Sequence, residues 1–129
     1  MNASVKDWVS KAEGDFEVAQ LVLGAGHRRN HDAVCFHSQQ CIEKLLKAVL
    51  IHHSIKPPRI HDLVVLSEQV RSAVPDWKAE EKDLRFLTQG AALFRYPAES
   101  ATDRQAEMAV AVCARLRDAL LKLLEPPAK

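Results

Sequence analysis

The sequence predicts an all-α fold, an antiparallel four-helix bundle with one additional short helix, in a single domain spanning residues 1–129. Three observations predict it. Apolar residues return every three or four positions in five separate stretches, the spacing of one face of a helix. No alternating apolar–polar run is long enough to build a sheet. Glycines and prolines fall mainly between the stretches, where the chain must stop and turn.

The first helix is predicted from about Ser4 to Leu23, carried by Val5, Trp8, Ala12, Phe16, Ala19 and Leu23. Ser4 with Asp7 resembles a capping box. Gly14 lies inside it at a cost of about 1 kcal/mol relative to alanine, read either as close approach of a neighbouring helix or as simple tolerance. Gly24 and Gly26 supply residues that can take positive φ and end the helix. Asn30 is the expected cap of a second helix, from about His31 to His53. Phe36, Cys41, Leu45, Ala48 and His52 form one side of it, with Val34, Ile42, Leu46, Val49 and Leu50 beside them. So wide an apolar arc marks a central helix or one that lines an interface. Gln40 with Lys44, and Glu43 with Lys47, are four apart and can meet on its surface.

Pro57 and Pro58 end that run. A short helix follows from about Asp62 to Ser72, with Leu63, Leu66, Ser67 and Val70 as its stripe and Asp62 favourably placed for the helix dipole. After Pro75, Asp76 is expected to cap a fourth helix from about Trp77 to Phe94, faced by Leu84, Leu87, Ala91 and Phe94. Arg95-Tyr96-Pro97 interrupts the pattern, because Pro97 disfavours α conformation at Tyr96. Two overlapping caps, Ser100 with Asp103 and Thr102 with Gln105, open the last helix. It runs to about Leu124 on Ala106, Ala109, Val110, Cys113, Leu116 and Leu120, with Arg117 at its edge. Pro126 and Pro127 are expected to close the ordered region.

Composition narrows the function classes. Hydrophobic residues make up 47% and charged residues 27% of the chain, which fits an ordered protein. The 18 Lys and Arg against 17 Asp and Glu leave a net charge of +1, so no overall field draws the chain to nucleic acid or anionic lipid. Cys35, Cys41 and Cys113 form no CxxC pair and read as buried apolar thiols of a reducing compartment. Met1 to Val9 carry no signal-peptide core, and no apolar run approaches the roughly 20 residues that span a bilayer. The expectation is a cytoplasmic protein without a membrane segment.

Few residues carry chemistry on their own. His52 and His53 point about 100° apart on a helix and make no two-ligand face. His27 and His31 lack further ligands, so no metal site is assigned, and no cofactor is expected. His37 and Cys41 read as packing. His61 and Asp62 precede the short helix, as a local cap and a packing group or as a ligand contact. Arg28 with Arg29 is a two-residue basic patch, and Glu80 to Arg85 a solvated face. Arg95 stands out, because its guanidinium fork at a helix end suits a phosphate. Its structural alternative is a pair with Glu43 or Asp15 that locks the bundle. Neither phosphate-loop nor dinucleotide glycine patterns occur, nor the carboxylate–histidine set of a di-iron bundle.

Trp8, Ala12, Asp15 and Ala19 in the first helix, then Phe36, Gln39-Gln40, Glu43-Lys44 and Lys47-Ala48, then His61-Asp62-Leu63, then Arg95-Tyr96-Pro97 together resemble the HEPN domain family across nearly the whole chain. The resemblance implies a bundle of four longer helices and a short one, usually dimeric, often encoded beside a minimal nucleotidyltransferase in toxin–antitoxin pairs. It implies metal-independent RNase activity for many members, and nucleotide or protein binding for others. Catalytic members carry an arginine and a histidine with four to six residues between them, near the last helix. Arg95 matches the arginine. The window after it holds Ser100, Ala101 and Thr102, and no histidine follows His61. The leading expectation is therefore a noncatalytic module that forms a homodimer and binds a nucleotidyltransferase-like partner, with a nucleotide or phosphate near Arg95. The ligand-binding candidates are Arg95, Tyr96, Lys47 and His61, with no catalytic residue assigned. The alternatives are an RNase toxin acting on RNA through Arg95 with Ser100, Thr102 or Tyr96, and a nucleotide-binding subunit that presents substrate through Arg95, Lys47 and His61.

Overall fold

The structure is a computed structural model that describes residues 1–126. It consists of α1 (Ala3–Ala25), a single 3-10 turn (Arg28–Asn30), α2 (His31–His52), α3 (Leu63–Ala73), α4 (Glu81–Leu93) and α5 (Asp103–Leu123), with no strand among the described residues. Pro126 follows the last helix, and the stop expected at Pro127 lies outside the described residues.

Local chemistry sets most boundaries. Asn2, not Ser4, caps α1: its Oδ1 accepts from the Val5 amide at 2.8 Å, which leaves Ser4 and Asp7 inside the first turns. Gly24 remains helical, and Gly26 ends α1 at φ 77° with its N–H on the Leu23 carbonyl. Space is open around Gly14, so its presence is tolerance and not close packing. Asn30 makes no side-chain cap. The chain enters α2 already wound, with the His31 N–H on the Arg28 carbonyl. Asp62 caps α3 by accepting from the Val64 amide at 2.9 Å. The Thr102–Gln105 box at α5 is complete in both directions.

The fourth helix starts at Glu81 and not at Trp77. Trp77 sits in the turn before it, buried against α3, where its indole N–H donates to the Ser67 hydroxyl at 2.9 Å. Burying a large ring with its one donor satisfied outweighs the local helical pattern.

α2 is the central rod, buried along most of its length, and every other helix packs on it. α1 runs antiparallel to it: Asp15 meets His37, and Trp8 lies by Lys47. α4 also runs antiparallel, its last turns lying at the start of α2 with Gly90 against Cys35 and Arg95 over Phe36. α5 runs parallel to α2, since His31 meets Asp103 at one end and Cys41 meets Cys113 further along. α3 and α4 therefore return the chain from the end of α2 to the level of its start, where α5 begins. Leu45, Leu46, Leu50, Leu66, Leu87 and Leu120 are fully enclosed, each contributing roughly 1.5–3 kcal/mol over exposure. Arg117 ties α5 to α1: its guanidinium donates twice to Glu13, at 2.8 and 2.6 Å, and lies over the Phe16 ring. No helix among the described residues is long and apolar enough to cross a membrane.

Candidate functional site

A cleft of about 350 Å³ opens between α2, the start of α3 and the end of α4. Phe36, Gln39 and Gln40 come from α2, His61 and Asp62 from the approach to α3, and Thr88, Ala91, Ala92 and Arg95 from α4 and the residues after it. Each element is held by bonds that are legible in its residue types. The Thr88 hydroxyl donates to the Leu84 carbonyl at 2.9 Å and accepts from the Leu63 amide at 3.2 Å, which pins the start of α3 to α4. Ala91 and Ala92 are small, so the wall beside them leaves open space.

The floor is a directional network. The Gln40 amide donates to Gln39 Oε1 at 2.8 Å. The Gln39 amide donates to Glu43 Oε1 and to the His61 carbonyl, each at 3.0 Å. Glu43 also accepts from Lys47 Nζ at 3.1 Å and from His61 Nδ1 at 2.9 Å. Glu43 is only 5% exposed. Burial alone would raise its carboxyl group. The hydrogen bonds from Gln39, His61 and Lys47, with the Lys47 charge, hold it below the usual carboxylate range. An ionised carboxylate can only accept, so the contact with Glu43 is satisfied by the tautomer of His61 that has its proton on Nδ1.

Arg95 lies with its guanidinium 5.4 Å from the centre of the Phe36 ring, a cation–π contact at the cleft wall. The bundle-locking alternative does not occur. Glu43 is taken by Lys47, His61 and Gln39, and Asp15 by His37 at 2.8 Å and Lys44 at 2.5 Å. Among the described residues Arg95 has no carboxylate within ion-pair distance.

The four ligand-binding candidates are therefore placed unequally. Arg95 and His61 share the cleft. Tyr96 is 67% exposed and does not line it; its carbonyl accepts the Glu99 amide in the following turn. Lys47 is only 7% exposed and turned inward, its charge committed to Glu43, because a buried ammonium needs a partner. Ser100 and Thr102 lie with Arg28, Arg29 and Asp103 around a separate recess, away from the Arg95 cleft. The sequence reading missed Thr88 and the Glu43–His61 bond. Thr88 was visible as a polar residue next to Leu87 on an apolar face. The Glu43–His61 bond joins residues eighteen apart through an irregular connection, which no local periodicity reports.

The remaining candidates are structural. Cys35, Cys41 and Cys113 are free and buried. Burial and the nearby Asp32 push the Cys35 thiol up to about 11, while the contact with Cys113 and burial raise Cys41. His52 and His53 are exposed and stack edge to face. Among the described residues no three His, Cys, Asp or Glu side chains gather to hold a metal ion.

Comparison with known proteins places this architecture. The model of the HEPN domain family matches residues 5–124. A Methanocaldococcus jannaschii protein named "Putative toxin MJ1304" is 40% identical over 76 residues, which are 59% of this chain and 45% of that protein. The chain thus spans less than half the length of that curated relative. The crystal structure of TT1696 from Thermus thermophilus superposes with a TM-score of 0.71 at 19% identity, over 92% of this chain and 97% of that one. ST0689, described as an archaeal HEPN homologue, gives 0.66 at 24% identity, over 94% and 98%. At these identities the two structures speak for the fold alone. With its family model covering all five helices, the chain belongs to the HEPN domain family.

Proposed function

We propose that this chain is a toxin-type HEPN module that acts on RNA, with the phosphodiester held by Arg95 in the cleft between α2, α3 and α4. The observation that carries the reading is a guanidinium that has no carboxylate partner among the described residues, on the wall of a cleft that also holds an imidazole and two amide side chains. A free fork of N–H donors is suited to two phosphate oxygens at once. Similarity to a relative named as a toxin supports the same direction. The test compares wild type and Arg95→Ala on single-stranded RNA in chelator. The wild type should cleave, and the variant should lose about 10²–10³-fold, the loss typical of removing one charge-stabilising donor. Equal background cleavage by both proteins would sink the reading.

A second reading is supported by exposed apolar side chains. Leu21 on α1 and Met108 on α5 stand in solvent, on neighbouring helices whose inner residues Ala19 and Ala106 share a small core. Exposed apolar side chains of this kind suit contact with a second copy of the chain or with a nucleotidyltransferase-like partner, as the family resemblance implies. Light scattering of the chain alone and mixed with the product of the adjacent gene decides it. A monomer in both cases removes this reading. The nucleotide-presenting alternative loses one of its groups, since Lys47 is committed to Glu43.

A further inference from the structure

We propose that His61 is the proton-transfer residue of this cleft and Glu43 its positioning residue, so that an arginine and a histidine brought from different elements form one reactive pair. The proposal rests on the RNA-directed reading above and adds to it the group that moves the proton.

The geometry carries it. His61 is the one imidazole lining the cleft that holds Arg95. Its side chain is 79% exposed, yet it is fixed at two points. The ring is held through Nδ1 by Glu43 at 2.9 Å, and the backbone carbonyl by the Gln39 amide at 3.0 Å. A surface histidine with only a packing role needs neither restraint. Glu43 is itself fixed by Gln39 and Lys47, so the carboxylate cannot swing away. A base whose ring is oriented by a carboxylate behind it is the arrangement that general-base chemistry uses. The charged groups facing His61 are Glu43 and, behind it, Lys47 on α2, Asp62 at the start of α3, and Arg95 after α4. His37 provides an internal comparison. It bears the same carboxylate contact, Nδ1 to Asp15 at 2.8 Å, but lies on the α1–α2 seam outside the cleft.

The step balances on RNA alone. The ribose 2′-oxygen bonds to phosphorus while its proton passes to His61 Nε2. The bond from phosphorus to the 5′-oxygen breaks, and the departing oxygen takes a proton from water. The hydroxide so formed takes the proton back from the imidazolium. Arg95 stabilises the charge on the non-bridging oxygens. The products are a 2′,3′-cyclic phosphate and a 5′-hydroxyl.

The experiment measures cleavage of a short RNA between pH 5 and 8 by wild type, Arg95→Ala, His61→Gln, Glu43→Gln and His37→Gln, with thermal melts to confirm folding. His61→Gln should lose about 10²–10⁴-fold together with the rise in rate with pH. Glu43→Gln should lose less and should weaken the tautomer preference seen by NMR, since an amide can turn either its oxygen or its nitrogen toward the ring. His37→Gln should match wild type. A strand with deoxyribose at the scissile position should stay intact. An activity-free readout accompanies these: nitrogen-15 NMR should show the His61 proton on Nδ1 in wild type. If wild type cleaves and Arg95→Ala does not, while His61→Gln keeps wild-type rates, the inference fails and the RNA-directed reading stands. If wild type itself leaves RNA intact, both fall. A proton found on Nε2 in wild type also overturns the assignment.

Discussion

Glu43 shows how one buried side chain can serve stability and a site together. Its carboxylate is opposed by Lys47 inside the bundle, at 3.1 Å with both side chains more than nine-tenths covered. Removing one member strands the other, and a broken buried pair costs about 3–5 kcal/mol. Glu43→Ala should therefore lower the denaturant midpoint strongly, by far more than Glu81→Ala, whose exposed pair with Arg85 contributes roughly 0–1 kcal/mol. The pH dependence has a definite sign. The Glu43 carboxyl titrates lower in the folded chain than its ordinary 4.5. Its contribution is present above the unfolded value and is lost as pH falls through the folded one. Urea titrations from pH 6 downward should show wild type losing stability over that acidic window more steeply than Glu43→Gln. Parallel curves would contradict the assignment. At this scale the sequence was least legible. Arg95 could be singled out because it sits at a break. Its freedom from a carboxylate depends on Glu43 and Asp15 being occupied by Lys47, His61, His37 and Lys44, and those meetings are decided by the packing of α1 and α3 on α2.

At the scale of elements, legibility followed the locality of the signal. The start of α2 at His31 and the buried stripe Leu63, Leu66, Ser67 and Val70 of α3 agree with the sequence reading, because apolar spacing is written into each segment. The cap at Thr102 was legible for the same reason. The start of α4 was not, since Trp77 follows a tertiary preference for α3. Two substitutions test these local effects from opposite directions. Thr102→Ala removes a hydroxyl that holds the Gln105 amide and should cost about 1 kcal/mol. Gly14→Ala places a methyl group in open space within α1 and should gain roughly 0.5–1 kcal/mol. Chemical denaturation of the two variants should move the midpoint in opposite senses. A loss at Gly14→Ala would mean that α1 is covered there by something other than solvent.

The whole molecule is organised around α2, which every other helix touches. The wide apolar arc from Val34 to Leu50 made this central role legible. The direction of α5 relative to α2 was not, because short connections suggest antiparallel neighbours and the intervening pair α3–α4 is what reverses the chain. With one shared core running through all five helices, heating should unfold the described residues in a single transition. Calorimetric and van't Hoff enthalpies should agree. Two separated transitions would show that α3 and α4 come away before the rest. Leu46→Ala, at the centre, should lower the midpoint of that same transition by removing about 2–5 kcal/mol.

The seat of Trp77 has an optical consequence. The chain holds two tryptophans, and neither lines the Arg95 cleft. Trp77 is sealed at the corner where α3 turns into α4, so its emission should stay blue while a ligand fills the cleft and redden when that corner opens to water. A fluorescence titration would then be a silent witness to binding and a faithful one to unfolding.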